Sequence, residues 1–341
     1  MMGKKFIEVA AGVAVLAAVF ASAPLYVPEA LIWILGMSFL FIVIAMSWDL
    51  VTGYAGQINL GLTSFVGLGA YTSALLQVTS RLKGTPFEFL AGQTAVPVEL
   101  SLLAGGVSSA LVGAAIGGIT LRLKGWYLAL VTAILPIAFV QTTYVWKDVF
   151  GGEEGFTLPA GLAQTPIGKY YAALAVMLLS LATMLLITRS NISLRLKALR
   201  DEPELAESIG LDTVKLKILA FTASAFFAGI AGAAIVNYRQ VANNDLYDVP
   251  LMLLVILAVV IGGSGTIWGP VVGGLLVYTM KLWWLKGVVY ELVSSTGLPI
   301  NDDVILYAIL IALAILAPKG LWPVVNANIS KILRRSHIFP R

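Results

Sequence analysis

The chain has 341 residues, of which 59% are hydrophobic and only 12% charged, with a formal net charge of +4 and a mean hydropathy of +0.92. Soluble domains carry roughly 25% charged residues, so a water-soluble globule is excluded and the solvent must be a bilayer. With no cysteine there is no disulfide framework, thiolate metal site or cysteine nucleophile.

Apolar runs near the length demanded by a hydrocarbon core of about 30 Å recur along the whole chain. In order they predict about ten transmembrane segments: 6–24, 30–48, 58–80, 99–121, 126–146, 170–188, 216–238, 249–263, 267–285 and 303–317. The expected fold is an all-α polytopic integral membrane protein, a single transmembrane domain over 1–341. The first run follows Lys4 and Lys5, and Ala21-Ser22-Ala23 resembles a signal-peptidase site. Pro24 should hinder cleavage there, so the first span is expected to be retained. The run 249–263 is short enough to be broken or re-entrant.

Between 53 and 72 the sequence GYAGQINLGLTSFVGLGAYT mixes small residues with uncharged polar ones. Small residues let helices approach closely, and a helix can break where its backbone faces a cavity instead of lipid. Gln57, Asn59, Thr63, Ser64, Tyr71 and Thr72 then have two readings. They offer hydrogen bonds to a polar solute, or they bond neighbouring backbone in helix packing. The connections 81–98 and 147–169 are long and rich in Gly, Pro and acids. Each is a vestibule or partner surface, or an ordinary loop.

The longest polar interval is 189–217, with six basic residues: Arg189, Arg195, Lys197, Arg200, Lys215 and Lys217. Within it Asp201-Glu202-Pro203-Glu204 opens a short helix, with an acidic cap, proline at the first helical position and Glu204 at the positive dipole end. Gly210 closes it in the left-handed conformation. Leu205, Ala206 and Ile209 are expected on one face. Two turns are marginal alone, so this helix lies on lipid headgroups or docks on a partner.

Farther on, Gly262-Gly263-Ser264-Gly265-Thr266 joins two spans, and Gly265, Gly269 and Gly273 recur at spacings of four, which permits a close helix crossing. It lacks the lysine and hydroxyl order of a phosphate loop. The sole histidine, His337, sits in a basic tail without ligating neighbours, so no metal is expected.

Charge sets the orientation. With both termini in the cytoplasm, the inner side collects Lys4, Lys5, Arg122, Lys124, the six basic residues of 189–217, Lys319, Lys331, Arg334, Arg335 and Arg341. Acidic residues lean outward. This asymmetry obeys the positive-inside rule, which also accounts for the net positive charge without nucleic acid. Gly168-Lys169 lacks the rest of a nucleotide-binding loop, and neither a zinc-peptidase nor a serine-hydrolase motif occurs. Most spans hold no deep charge of the kind a proton relay needs. No catalytic residue is assigned, and a self-sufficient secondary transporter or channel is disfavoured.

Glu204-Leu205-Ala206-x-x-x-Gly210 resembles the E-A-A-x-x-x-G motif of permease subunits of bacterial and archaeal ATP-binding-cassette importers, departing at Leu205. The wider run 195–232, the 53–72 segment, Gly125-Trp126-Tyr127-Leu128-Ala129-Leu130-Val131-Thr132 and the 262–274 glycine turn together resemble the branched-chain amino acid importer permeases, M-type, over about 30–320. Asn59, Thr63, Trp126 and Pro136 depart from that pattern. The resemblance implies a permease subunit and not an enzyme, with no cofactor of its own, ATP being bound by partner subunits. It implies that Arg200, Pro203, Glu204, Leu205, Ala206, Ile209 and Gly210 couple to cytoplasmic ATPase subunits. A second homologous permease and an extracytoplasmic solute-binding protein are the other implied partners, in the bacterial or archaeal cytoplasmic membrane. Leucine, isoleucine and valine are the implied cargo, and urea or short amides are the alternative because their permeases are close relatives.

Overall fold

A computed structural model describes residues 2–92, 94–120, 126–284 and parts of 304–323, with side chains from Gly12 onward. In chain order its helices are α1 (Met2–Ser22), α2 (Glu29–Asp49), α3 (Leu62–Gln77), α4 (Val98–Thr120), α5 (Trp126–Val145), α6 (Lys147–Phe150), α7 (Pro166–Arg189), α8 (Asn191–Asp201), α9 (Pro203–Ser208), α10 (Thr213–Arg239), α11 (Val249–Gly262) and α12 (Trp268–Thr279). The expected features at 121–125, most of the last span, the C-terminal basic residues and His337 lie outside the described residues.

The fold is an all-α polytopic membrane protein. Among the described residues, five segments, Glu29–Tyr54, α4, α5, α7 and α10, are long and apolar enough to cross a bilayer, while Gly12–Leu25 and Val249–Gly262 are apolar but shorter. α2 shows why the bundle closes around it. It is apolar on every face, and from Phe39 to Val51 no side chain is more than 4% exposed. A helix apolar all round belongs in the interior. By contrast α5 turns Trp126, Tyr127, Leu130, Ile134 and Ile137 outward, as lipid-facing surface requires.

Close helix approach is set by small residues. α3, α4 and α10 pack against one another where Gly69 meets the carbonyl of Gly229, Gly105 meets that of Gly69, and Gly232 meets that of Val66, leaving no room for a Cβ at any of them. Where this trio ends, a buried polar cluster joins all three helices. Gln77 Nε2 donates to Asn237 Oδ1 and Asn237 Nδ2 donates to Ser73 Oγ at 2.8 Å. The Ser73 and Ser101 hydroxyls pair at 2.7 Å. Without water such groups must satisfy each other.

The connection at 147–169, read from the sequence as a vestibule or partner surface or as an ordinary loop, is tied to the bundle. Strand β1 (Phe156–Thr157) pairs antiparallel with β2 (Val241–Ala242), just after α10. Arg81 donates to Asp148 O at 3.0 Å with its guanidinium 4.3 Å from the Phe156 ring centroid, and Lys169 Nζ donates to Gln240 Oε1 at 2.7 Å.

Gly69→Leu is expected to destabilise the folded protein by about 3 kcal/mol or more through overpacking, read as a lower unfolding temperature in detergent. An outward-facing control, Leu130→Ala, should leave that temperature nearly unchanged.

Candidate functional site

The polar interval 189–217 is not a loop around one helix. It begins with α8, whose N-cap Ser190 accepts from Ile192 N, and continues through Glu202 into α9. Sequence periodicity missed α8 because its buried positions, Ser193, Leu196 and Leu199, include only two apolar side chains and are outnumbered by charges. A second expectation fails at the cap of α9. Glu202 occupies the N-cap with no side-chain hydrogen bond, and Asp201 instead pairs with Arg200 at 2.8 Å. Pro203 at the first position and Glu204 in the first turn form the start of the helix.

The end of α9 is a Schellman closure. Gly210 has φ +85°, its N–H donates to Glu207 O at 3.0 Å, and Leu211 N donates to Ala206 O at 3.1 Å. A Cβ at Gly210 would meet nothing within 4 Å, so the glycine answers a backbone requirement and not a close approach within this chain. The three apolar residues do not share one face. Ala206 is 2% exposed and faces the protein, whereas Leu205 and Ile209 are 63% and 68% exposed. The helix therefore presents a leucine and an isoleucine outward from a fixed base. Beyond it, Asp212 caps α10 by accepting Lys215 N at 3.0 Å. That backbone bond, joined by the Lys215 ammonium, holds the carboxyl below its ordinary range.

α8 grips the end of α2. Past Asp49, α2 widens into one π turn, Leu50–Tyr54, and then runs irregularly to Gly61 before α3 begins. Arg200 Nη1 donates to Gly53 O at 2.7 Å, and its side chain lies over Gly56, which has φ +67°. Lys197 Nζ sits 5.1 Å from the Tyr54 ring centroid, in cation–π range.

The third component is the glycine turn. Asp49 is 1% exposed, and its Oδ1 accepts Gly265 N at 2.7 Å and Ser264 Oγ at 3.1 Å. Gly53 is packed against both Asp49 Oδ1 and Gly265 N, with no space for a Cβ. Gly263 (φ +114°) and Gly265 (φ +75°) supply the turn, and Gly262, Gly269 and Gly273 let α11 and α12 cross in contact, Gly262 against Gly269 O and Gly273 against Ala258 O. So α8, the α2 π turn and the α11–α12 turn meet at one joint. Asp49 went unnoticed in the sequence because it stands at the edge of an apolar run, where a carboxylate reads as a solvated loop residue.

The polar residues of 57–72 divide. Gln57 and Asn59 lie in the irregular segment and not in a span. There Asn59 Oδ1 accepts Gly61 N at 2.8 Å, Trp48 Nε1 donates to Asn59 O at 2.7 Å, and Leu60 N donates to Thr132 Oγ1 at 3.1 Å. These bonds replace the missing helical ones, as a broken backbone at membrane depth requires. On α3, Thr72 Oγ1 donates to Leu68 O and accepts from Ser108. Tyr71 stacks on Tyr247, which stacks on Phe139, at 5.7 and 5.6 Å. Thr63 and Ser64 are fully buried, and their hydroxyls have no hydrogen-bond partner among the described residues. No group of three or more metal-ligating side chains occurs among the described residues.

The family model described as "Branched-chain amino acid transport system / permease component" matches residues 30–314. The chain is 25% identical to the high-affinity branched-chain amino acid transport system permease protein LivM of Salmonella typhimurium, over 90% of this chain and 73% of that protein. It is 24% identical to LivM of Escherichia coli over the same shares, 90% and 73%. It is 23% identical to the guanosine ABC transporter permease protein NupQ of Bacillus subtilis, over 52% of this chain and 58% of that protein. No solved structure matches it.

Gly210→Ala is expected to weaken the α9 closure by about 1 kcal/mol, the cost of a left-handed non-glycine residue. Gly210→Asn should cost less. Faster amide exchange across 203–211 in the alanine variant than in the asparagine variant is the check.

Proposed function

The chain belongs to the family of branched-chain amino acid transport system permease components, and from that premise we propose that it is the subunit through which an ATP-binding-cassette importer moves leucine, isoleucine and valine across the cytoplasmic membrane, driven by separate ATPase subunits. As a transport permease it is not an enzyme. The cargo reading rests on the names of its LivM relatives. Both termini lie in the cytoplasm, about ten segments span the bilayer, and α8–α9 projects into the cytoplasm; the basic residues of 189–217 support that side. A second homologous permease and an extracytoplasmic binding protein complete the importer.

One observation carries the coupling mechanism: the same short stretch that presents Leu205 and Ile209 outward also holds Gly53 through Arg200. The ATPase groove takes the Leu205–Ile209 face, and Ala206 keeps α9 seated on the permease. When the ATPase pair closes, α9 moves with it and α8 follows. Arg200 then pulls the π turn at the end of α2, and Asp49 passes the motion to Gly265 and the α11–α12 crossing. A displacement at the docking face thus reaches two places where helices are already broken, the sites of least resistance to bending. Thr63 and Ser64, whose buried hydroxyls have no hydrogen-bond partner among the described residues, stand two and three residues beyond the break at Gly61 and would meet cargo only when the joint opens.

The test is co-purification with the ATPase subunits followed by uptake in vesicles. Leu205→Asp with Ile209→Asp should insert normally, since neither side chain is buried, but lose the ATPase subunits. Normal co-purification would place that face on lipid headgroups instead. Arg200→Ala should retain the ATPase subunits yet lower ATP-driven leucine uptake about tenfold or more, since a charge-assisted hydrogen bond contributes about 1.5–3 kcal/mol. Uptake by the chain without any ATPase would overturn the importer reading.

A further inference from the structure

α5 touches the described bundle by a single face. Leu128, Ala129, Thr132, Pro136 and Thr143 are buried, while Trp126, Leu130, Ile134 and Ile137 are exposed. The buried face covers α3 and the turn before α11. Near the break, Thr132 Oγ1 accepts Leu60 N at 3.1 Å, and the Thr132 carbonyl lies against Gly61 with no room for a Cβ. Farther along α5, Phe139 stacks on Tyr247, which lies against Gly67 and stacks on Tyr71.

The α3 surface underneath is polar and unsatisfied. Thr63, Ser64 and Tyr71 are each at most 1% exposed, and the hydroxyl of each lacks a hydrogen-bond partner among the described residues. At 3.6 residues per turn, Thr63, Ser64, Gly67 and Tyr71 fall within about 100° of arc. Gly67, inside that arc, meets the Tyr247 ring, whereas Phe65 and Gly69 face α4 and α10. Three hydroxyls are thus buried on a side of α3 that the α3–α4–α10 trio does not use. An unmet donor in an apolar interior costs stability. Repeating that cost three times on one face makes sense if a partner arrives when the face is uncovered.

We propose that the seam between α3 and α5 is the passage for the solute, shut in this structure, and that α5 opens it by bending at Pro136. The inference rests on the permease reading above and adds the moving wall and the residues behind it. Proline has no N–H to give Thr132 O, so the α5 ladder lacks a bond at the turn that rests on Gly61. Bending there lifts the half of α5 that carries Phe139 away from Tyr247 and uncovers the three hydroxyls. They then give hydrogen bonds to acceptor oxygens of the solute, such as an amino acid carboxylate. The pull starts at the joint. Arg200 holds Gly53, and the irregular segment that follows ends at Leu60, which is bonded to Thr132.

The experiment uses the assembled importer in vesicles. The chain has no cysteine, so Ser64→Cys puts one thiol on the covered face, and Ala228→Cys, fully buried on α10, is the control. A small charged thiosulfonate, read on this chain by mass, is expected to modify Ser64→Cys about tenfold faster during ATP turnover than without ATP. The control should stay unmodified. Pro136→Ala restores the missing donor and should lower ATP-driven leucine uptake about threefold or more, with an equal or higher unfolding temperature in detergent. Thr63→Val with Ser64→Ala removes two unpaired hydroxyls and should raise the leucine KM about tenfold, again without lowering that temperature. Modification of Ser64→Cys that ignores ATP, equal modification of the control, or wild-type uptake in Pro136→Ala each overturn the seam. So does a lower unfolding temperature in both variants, which would make these residues structural. Absence of ATP-driven leucine uptake by the unmodified importer would overturn the cargo reading instead, and ATP-dependent thiol exposure would still decide the seam.

Discussion

Inside a bilayer a backbone that leaves the helical path must find its hydrogen bonds within the protein, and the joint of α2, α8 and the α11–α12 turn follows from how this chain meets that demand. α2 breaks at Asp49, and the turn between α11 and α12 breaks at Gly263. Each break would strand polar groups in an apolar medium. They are placed against each other, so that the Asp49 carboxylate takes the Gly265 N–H and the Ser264 hydroxyl, and Arg200 takes the Gly53 carbonyl. Two irregular pieces of backbone are thereby stabilised by one acid and one base, and the base comes from α8, next to the docking helix.

Transmission follows from that arrangement. Packed helices resist deformation, and interfaces change between discrete arrangements rather than stretching. The α3–α4–α10 trio, locked by backbone contact at Gly69, Gly105 and Gly232 and by the Gln77–Asn237 cluster, is suited to stay fixed. The joint at Gly53 and Gly265 is held by a few strong, directional bonds over turns rich in glycine. A motion of α9 would have a stiff body to act against and a glycine-rich joint to act through. At the other end of α10, Arg239 pairs with Asp245 at 2.7 Å.

Much of the site was legible because some residues carry their reason locally. Gly210 follows a short helix with proline at its start, and the chain there takes φ +85°. The 262–273 glycines read as a close crossing and pack as one. Other residues have no local reason. Asp49 looks like a loop acid until Gly265, more than two hundred residues later, supplies its partner. Asn237 and Gln77 lie within apolar runs and give no periodic signal, since their function is to bond each other across helices. α8 stayed hidden because charge on its exposed side masked three buried positions.

The sequence by itself determined the solvent, the helical class and the short helix that ends at Gly210. Those properties are sums over local composition: apolar length against bilayer thickness, proline before and glycine after a short turn. Only the tertiary structure decided which way α9 faces, placing Ala206 inward and Leu205 and Ile209 outward. It also decided that Gln57 and Asn59 lie in a broken backbone and that Tyr71 stacks in an aromatic column. Direction and partnership depend on what lies across the bundle, and that neighbour is set by packing between segments far apart in the chain.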